Sequence, residues 1–311
     1  MRLAPVARGL LTYVPALNDL LPAKNIGHTG SAQYCYRVWL KHLTLLHAHG
    51  MSAVPQTLAE LGPGESLGVG ICALLCGTDH YVGLDAVAHS SAARSLRLLP
   101  EIVSLFRERA PVPHQGWPEF RAYLDERSFP GHILGEPRLE QTLSAARIAA
   151  IRTALTGPAA TNVLSAEYKA PWTEPRVIEE SSVDAIISHS VLEHVVDLAG
   201  TYAALHRWLK PGGWMSHQID LKSHGLTRRW NGFRATSERL WTLAVGRRPY
   251  MINRHPASVH LQLLQASGFD LVVQQKLLRE DGVRREELAP RWAGIPDEDL
   301  KCAGLYVIAR K

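Results

Sequence analysis

Apolar residues recur along the chain at two periods, and the places where the period changes outline an alternating α/β fold. Within residues 33–50, Tyr36, Leu40, Leu43 and Leu46 follow helical spacing, and Gly50 is a fitting stop. Residues 57–61 read as a short buried strand that runs straight into a glycine-rich turn at 62–68. An apolar helix closing at Gly77 follows, then a second strand ending in Asp85. Strand, glycine turn, helix, strand and acid form the opening unit of a nucleotide-binding α/β fold. Residues 90–160 break the alternation with two helical stretches around a loop, which predicts a helical insertion. Strands are expected again at 161–168 and 183–188. A helix follows with Asp197 as its N-cap and Leu198, Tyr202, Leu205 and Leu209 on one face, then a strand at 214–220. A helix near 260–269 precedes two strand-like runs, 268–278 and 302–311, separated by a charged segment expected to be helical. The predicted organisation is an N-terminal helical cap over residues 1–55 and one α/β domain over 56–311, with the insertion at about 90–160.

Composition narrows the class. The 311 residues are 46% hydrophobic and 20% charged, which excludes disordered, collagen-like and disulfide-scaffold chains. No run approaches the roughly 18 apolar residues of a membrane span. Four cysteines form no Cys-x-x-Cys pair, and Cys72 and Cys76 sit four apart in an apolar run, so they read as packed thiols. That usage fits a reducing, cytoplasmic setting. The apolar N-terminal stretch is interrupted by Arg8 and prolines and lacks a small-residue cleavage site. It reads as a cap on the body, with peripheral membrane contact as the lesser alternative. The net charge of +5 is concentrated: Lys222 and seven arginines between 222 and 255 face the single acid Glu238, leaving 26 basic against 28 acidic residues elsewhere. Trp230, Phe233, Trp241 and Tyr250 are interleaved with those charges. Such a segment can bind nucleic acid by phosphate contact and stacking, an anionic sugar or an anionic lipid surface, or it can be an ordinary solvated face over buried aromatics.

The chemistry concentrates at Glu60-Leu61-Gly62-Pro63-Gly64 and at Asp85, 21 residues after Gly64. Glycines let the backbone approach a ligand, and the carboxylate suits a ribose hydroxyl pair. NAD and S-adenosylmethionine (SAM) satisfy these features almost equally. Three features favour SAM. The acid Glu60 tolerates a cationic ligand better than a pyrophosphate. The stretch from Val183 to Trp214 is long and specific. The last two strands suit an antiparallel sheet ending. A Tyr-x-x-x-Lys pair, needed for a short-chain dehydrogenase, is absent from the sequence.

On ELGPG (60–64), GLD (83–85), VDAIISHSVLEHV (183–195) and LHRWLKPGGW (205–214), the chain resembles a class I SAM-dependent methyltransferase over roughly residues 56–90 and 160–311. The resemblance implies a Rossmann-like, seven-stranded, mostly parallel sheet with an antiparallel last strand, and SAM over the carboxyl ends of the strands. Carried over by residue, it implies that Glu60, Gly62 and Gly64 line the methionine and ribose, that Asp85 holds the ribose hydroxyls, and that Ser188 and His189 approach the methionine amine through backbone. The family's acid after the third strand has Glu167 as its nearest counterpart, with Ala166 and Tyr168 one register step to either side.

Methyl transfer to a hydroxyl needs a base of near-neutral pKa or a metal that lowers the hydroxyl's pKa. Glu193-His194 is expected to open the helix after the fourth strand, and His217 and Asp220 to end the fifth. Neighbouring strand ends bring these four toward the acceptor. His194 is the first choice of base and His217 the second. A carboxylate-oriented histidine or a Mg-type divalent cation are the two functional readings, beside a purely structural one in which Glu193 caps the helix and His194 packs. No metal ligand set is assigned, and His224 is a weaker addition to Asp220. The expected function is a cytoplasmic O-methyltransferase acting on a small molecule or sugar, an anionic one among them. The alternatives are an RNA or protein methyltransferase, a catalytically silent SAM-binding module and a nicotinamide oxidoreductase.

Overall fold

The computed structural model describes residues 1–14, 28–113, 128–157, 164–172 and 174–311. Among them, seven strands form one sheet in the order β3-β2-β1-β4-β5-β7-β6. They are β1 (Thr57–Leu61), β2 (His80–Leu84), β3 (Ser165–Lys169), β4 (Val183–His189), β5 (Leu209–Asp220), β6 (Asp270–Leu278) and β7 (Cys302–Arg310). β7 runs antiparallel to both neighbours, and every other pairing is parallel. This is the sheet that the motifs imply. The register aligns Leu61 with Leu84 and Ser188, and Ser188 with His217. The carboxyl ends of β1, β2, β4 and β5 therefore share one edge of the sheet, where ligands bind in open α/β folds.

Helices cover both faces. On one side, α2 (Ala32–Ala48), α3 (Gly68–Leu74), α4 (Ala92–Arg107) and α6 (Ala145–Thr156) pack over a core that includes Trp39, Leu43, Ile71, Ile102 and Phe106. α2 has a buried face from Cys35 to Leu46, and it is integral to this core. α4 buries Leu98, Leu99, Ile102, Val103 and Phe106 at helical spacing. It belongs to the stretch expected as an insertion and connects β2 toward β3. The second helical stretch there is two helices, α5 (Glu136–Thr142) and α6, because the Ser144 hydroxyl accepts from Arg147 N and starts a new helix. On the opposite face, α7 (Leu198–Trp208) and α9 (Ala257–Ala266) enclose Tyr202, Leu205, Trp208, Met215 and Leu264. Each large apolar side chain so buried contributes about 1.5–3 kcal/mol.

Some local expectations shift. Asp197 caps α7, its carboxylate accepting from Gly200 N at 2.9 Å. Glu193 and His194 lie before that cap, in a separate 3-10 turn, Leu192–His194. The segment between β6 and β7 is two 3-10 turns and a short helix, α10 (Asp297–Lys301), since Pro290 and Pro296 interrupt longer helix formation. A third cluster, including Leu226, Phe233, Trp241 and Trp292, joins the chain after β5 to this segment. There α1 (Leu3–Leu11) packs on α8 (Glu238–Val245). The expected strand residues 161–163 lie outside the described residues.

Candidate active site

The turn after β1 is built by glycine. Gly62 and Gly64 have φ of +68° and +73°, a region that costs other residues energy. A Cβ on Gly62 would stand 2.9 Å from Val191 Cγ1 and closer still to Cγ2. The turn thus presses against the one after β4. Beneath it, Glu60 is only 4% exposed. The Tyr81 hydroxyl donates to its carboxylate at 2.5 Å. Gly70 makes room for that ring, since a Cβ there would be 2.6 Å from Tyr81 Cδ1. Burial, with the charge of Asp85 adding, raises the Glu60 pKa to about 8 despite the Tyr81 hydrogen bond. Asp85 stands at the end of β2, its carboxylate accepting from Ala86 N at 2.9 Å. Burial raises its pKa as well.

At the end of β4, Ser188 and His189 point to opposite faces, as strand alternation requires. Ser188 Oγ lies 2.7 Å from His217 Nδ1 inside the core. The His189 ring lies in edge contact with Tyr34 and His42 of α2. Burial, then Lys41 and Arg37, depress its pKa to about 3. Lys41 is itself lowered to about 7 by burial and Arg37.

The next turn carries a second cluster. Glu193 is 2% exposed, and neither carboxylate oxygen has a hydrogen-bond partner among the described residues. Burial, with Asp220 adding, pushes its pKa well up. His224 Nε2 lies 3.7 Å from both Glu193 Oε1 and Asp220 Oδ2. The His194 and His224 rings meet edge to face at 5.0 Å. His194 Nδ1 donates to the Tyr250 carbonyl at 2.8 Å. Asn253 fixes the turn, its side chain donating to the Leu192 and Val195 carbonyls at 2.8 Å each and its backbone N–H to the Glu193 carbonyl at 2.7 Å. One ligand atom from each of Glu193, His194 and His224 lies within 4.8 Å of the others.

A family model described as a methyltransferase domain matches residues 58–274. The chain belongs to the class I SAM-dependent methyltransferases. Similar solved structures include a SAM-dependent methyltransferase from Mesorhizobium loti at 15% identity, covering 87% of this chain and 98% of that one, TM-score 0.43. A putative sarcosine dimethylglycine methyltransferase from Galdieria sulphuraria is 12% identical, covering 88% and 84%, TM-score 0.44. A geranyl diphosphate methyltransferase solved with SAM is 14% identical, covering 90% and 84%, TM-score 0.42. No curated protein matches the chain.

The methyltransferase's residues fit SAM on their own chemistry: a glycine turn, a buried carboxyl and a second carboxylate at the end of β2. Of the positions considered for an acid after the third strand, Glu167 lies mid-strand opposite Val82, 3.1 Å from Lys169. Tyr168 reaches the loop after β2, its hydroxyl accepting from His89 N at 2.9 Å. Of the four residues expected around the acceptor, Glu193, His194 and Asp220 gather with His224. His217 is fully buried with Ser188, where burial lowers its pKa to about 3. Tyr81, Lys41 and His42 carried no motif that marked them. Within the basic segment, Trp230, Phe233 and Trp241 are buried and Arg234 is fully buried among Phe233 and Trp292, while Arg228, Arg229, Arg239, Arg247 and Tyr250 are exposed. Those buried rings are not platforms for bases.

Glu60 is expected to make SAM binding pH-dependent. A cationic ligand favours the ionised carboxyl, so binding releases a proton wherever free Glu60 is protonated. Affinity is expected to rise up to about tenfold per pH unit toward pH 8 and to level above it. Titration calorimetry in buffers of different ionisation enthalpy reads both the slope and the proton. In Glu60→Gln the slope should vanish; a slope retained there would assign it to another group.

Proposed function

We propose that the chain transfers the SAM methyl group to a hydroxyl of a small molecule or glycan, with His194 as base. The observation that carries this is the hydrogen bond from His194 Nδ1 to the Tyr250 carbonyl, which makes Nε2 the accepting nitrogen. When bound, SAM supplies an electrophilic methyl on a sulfonium that departs as a neutral thioether. Gly62 and Gly64 would leave room for it, Glu60 would face its positive charge, and Asp85 would accept from the ribose hydroxyls. The turn tied by Asn253 sets His194 beside the acceptor. As the oxygen–methyl bond forms, Nε2 takes the hydroxyl proton. The Asp220 carboxylate, 3.7 Å from His224 whose ring contacts His194, adds negative charge on the side of the resulting imidazolium. Cytoplasmic placement belongs to the same proposal and rests on four buried free cysteines.

The second reading is a divalent cation on Glu193, His194 and His224. It is supported by their spacing and by the buried Glu193 carboxylate, which lacks a hydrogen bond. Such an ion would lower the acceptor hydroxyl's pKa. The test is methyl-labelled SAM with a panel of hydroxyl, amine and acidic-carbon acceptors. The expected product is a methyl ether whose formation survives exhaustive chelation. Loss on chelation with recovery on Mg²⁺ selects the cation, and exclusive N- or C-methylation overturns the hydroxyl acceptor.

A further inference from the structure

Away from the candidate site, α1 and α8 present exposed apolar side chains. Leu3, Ala7 and Leu10 lie at i, i+4 and i+7, so one stripe of α1 is wholly apolar. That stripe faces outward: Leu3 is 88% exposed and Leu10 48%, and Tyr13 and Val14 continue it. α8 adds Leu240 and Leu243, three apart and also exposed.

The two helices are firmly joined. Gly9 sits against the Leu243 and Ala244 carbonyls with no room for a Cβ. The Arg248 guanidinium donates to the Pro5 and Ala244 carbonyls, and Arg247 N donates to Thr12 Oγ1 at 2.8 Å. The exposed leucines therefore sit on a fixed pair of packed helices. Apolar surface of this kind marks an interaction site.

Charge identifies the partner. Arg2, Arg8, Arg239 and Arg247 are exposed on these two helices and their ends. Residues 1–14 contain no acid. Glu238, the one acid of segment 222–255, is already held by Arg254 at 2.9 Å and Arg291 at 3.0 Å. Arg8 is close enough to Arg248 to lower its pKa, after burial. Among the described residues, like charges crowd here, and Glu238 is engaged by Arg254 and Arg291.

We infer that the α1–α8 surface docks on an anionic lipid bilayer, with Leu3, Leu10, Leu240 and Leu243 entering the interface and the arginines meeting the headgroups. The chain runs from Leu243 to Tyr250, whose carbonyl holds His194, so docking brings the acceptor cluster near the membrane. The inference is independent of the proposed reaction, because vesicle binding is read without turnover.

The test is flotation of the full chain with phosphatidylcholine vesicles, with and without phosphatidylglycerol. Binding is expected only with the anionic lipid and should weaken as salt rises. Each arginine contributes about fivefold, so Arg8→Gln with Arg247→Gln should lower partition roughly 25-fold. Leu10→Asp with Leu243→Asp should abolish it while the melting temperature and SAM affinity stay unchanged, since both side chains are exposed. Equal binding to neutral vesicles, absence of binding, or wild-type flotation of the Leu→Asp pair would overturn the inference. So would a dimer that those substitutions dissociate in the absence of any lipid binding, which would assign the surface to a second copy.

Discussion

His194→Ala is expected to lower the rate of methyl transfer by about 10²–10⁴-fold, the range of a positioned general base, while SAM affinity stays within about twofold of wild type. The separation follows from the geometry. His194 lies on the turn after β4 and is oriented by the Tyr250 carbonyl. Glu60, near the end of β1, Gly62 on the turn that follows and Asp85 just after β2 are the residues proposed to face SAM. A loss of proton acceptance should therefore appear in kcat and leave cofactor binding intact. Added imidazole should restore part of the rate in the alanine variant if proton transfer is the missing function, and restore little if a cation has lost its ligand. Glu193→Gln sharpens the distinction. It keeps the buried volume but removes the charge, so a cation site should lose bound metal. Normal turnover in His194→Ala would remove His194 from the mechanism, leaving His224, whose ring lies 5.0 Å away, as the alternative base.

The cofactor half of the site was legible because its signals are local. A strand period ending in glycines, and an acid ending the next strand, need no distant contact to be read. The acceptor half was legible in part. Strand alternation fixes the face on which His217 lies, and that face is the interior: its ring meets Ser188 beneath the sheet edge. His224 reaches Glu193 only because the chain folds back after Asp220, a non-local event with no periodic signature. The same holds for the basic segment. Its charge was visible, but the fully buried position of Arg234 beside Phe233 and Trp292 depends on the chain between β6 and β7. The two stretches between 90 and 160 show the converse. Ser144 was a local cap signal inside a helical period, and it divides that stretch in two.

Gly62→Ala should both destabilise the protein and weaken SAM binding, and the two causes can be separated. The left-handed backbone at φ +68° costs an L side chain about 1–2 kcal/mol. The steric conflict with the Val191 methyls adds about 1–3 kcal/mol of overpacking. The turn can relieve either only by moving away from the β4 side, which withdraws the backbone proposed to meet SAM. A combined cost of about 2–5 kcal/mol, where 1.4 kcal/mol is tenfold, predicts a marked fall in melting temperature and a loss of SAM affinity of at least tenfold. Val191→Ala in the same chain removes Cγ1 and Cγ2 but leaves Cβ, which would stand 3.3 Å from the new methyl. The double variant should therefore regain the steric part and keep the backbone part, a coupling of about 1–3 kcal/mol in a double-mutant cycle. Additive effects in that cycle would show that the two turns do not bear on one another. Unchanged SAM binding in Gly62→Ala would show that the turn adapts to its ligand and is not a rigid cradle for it.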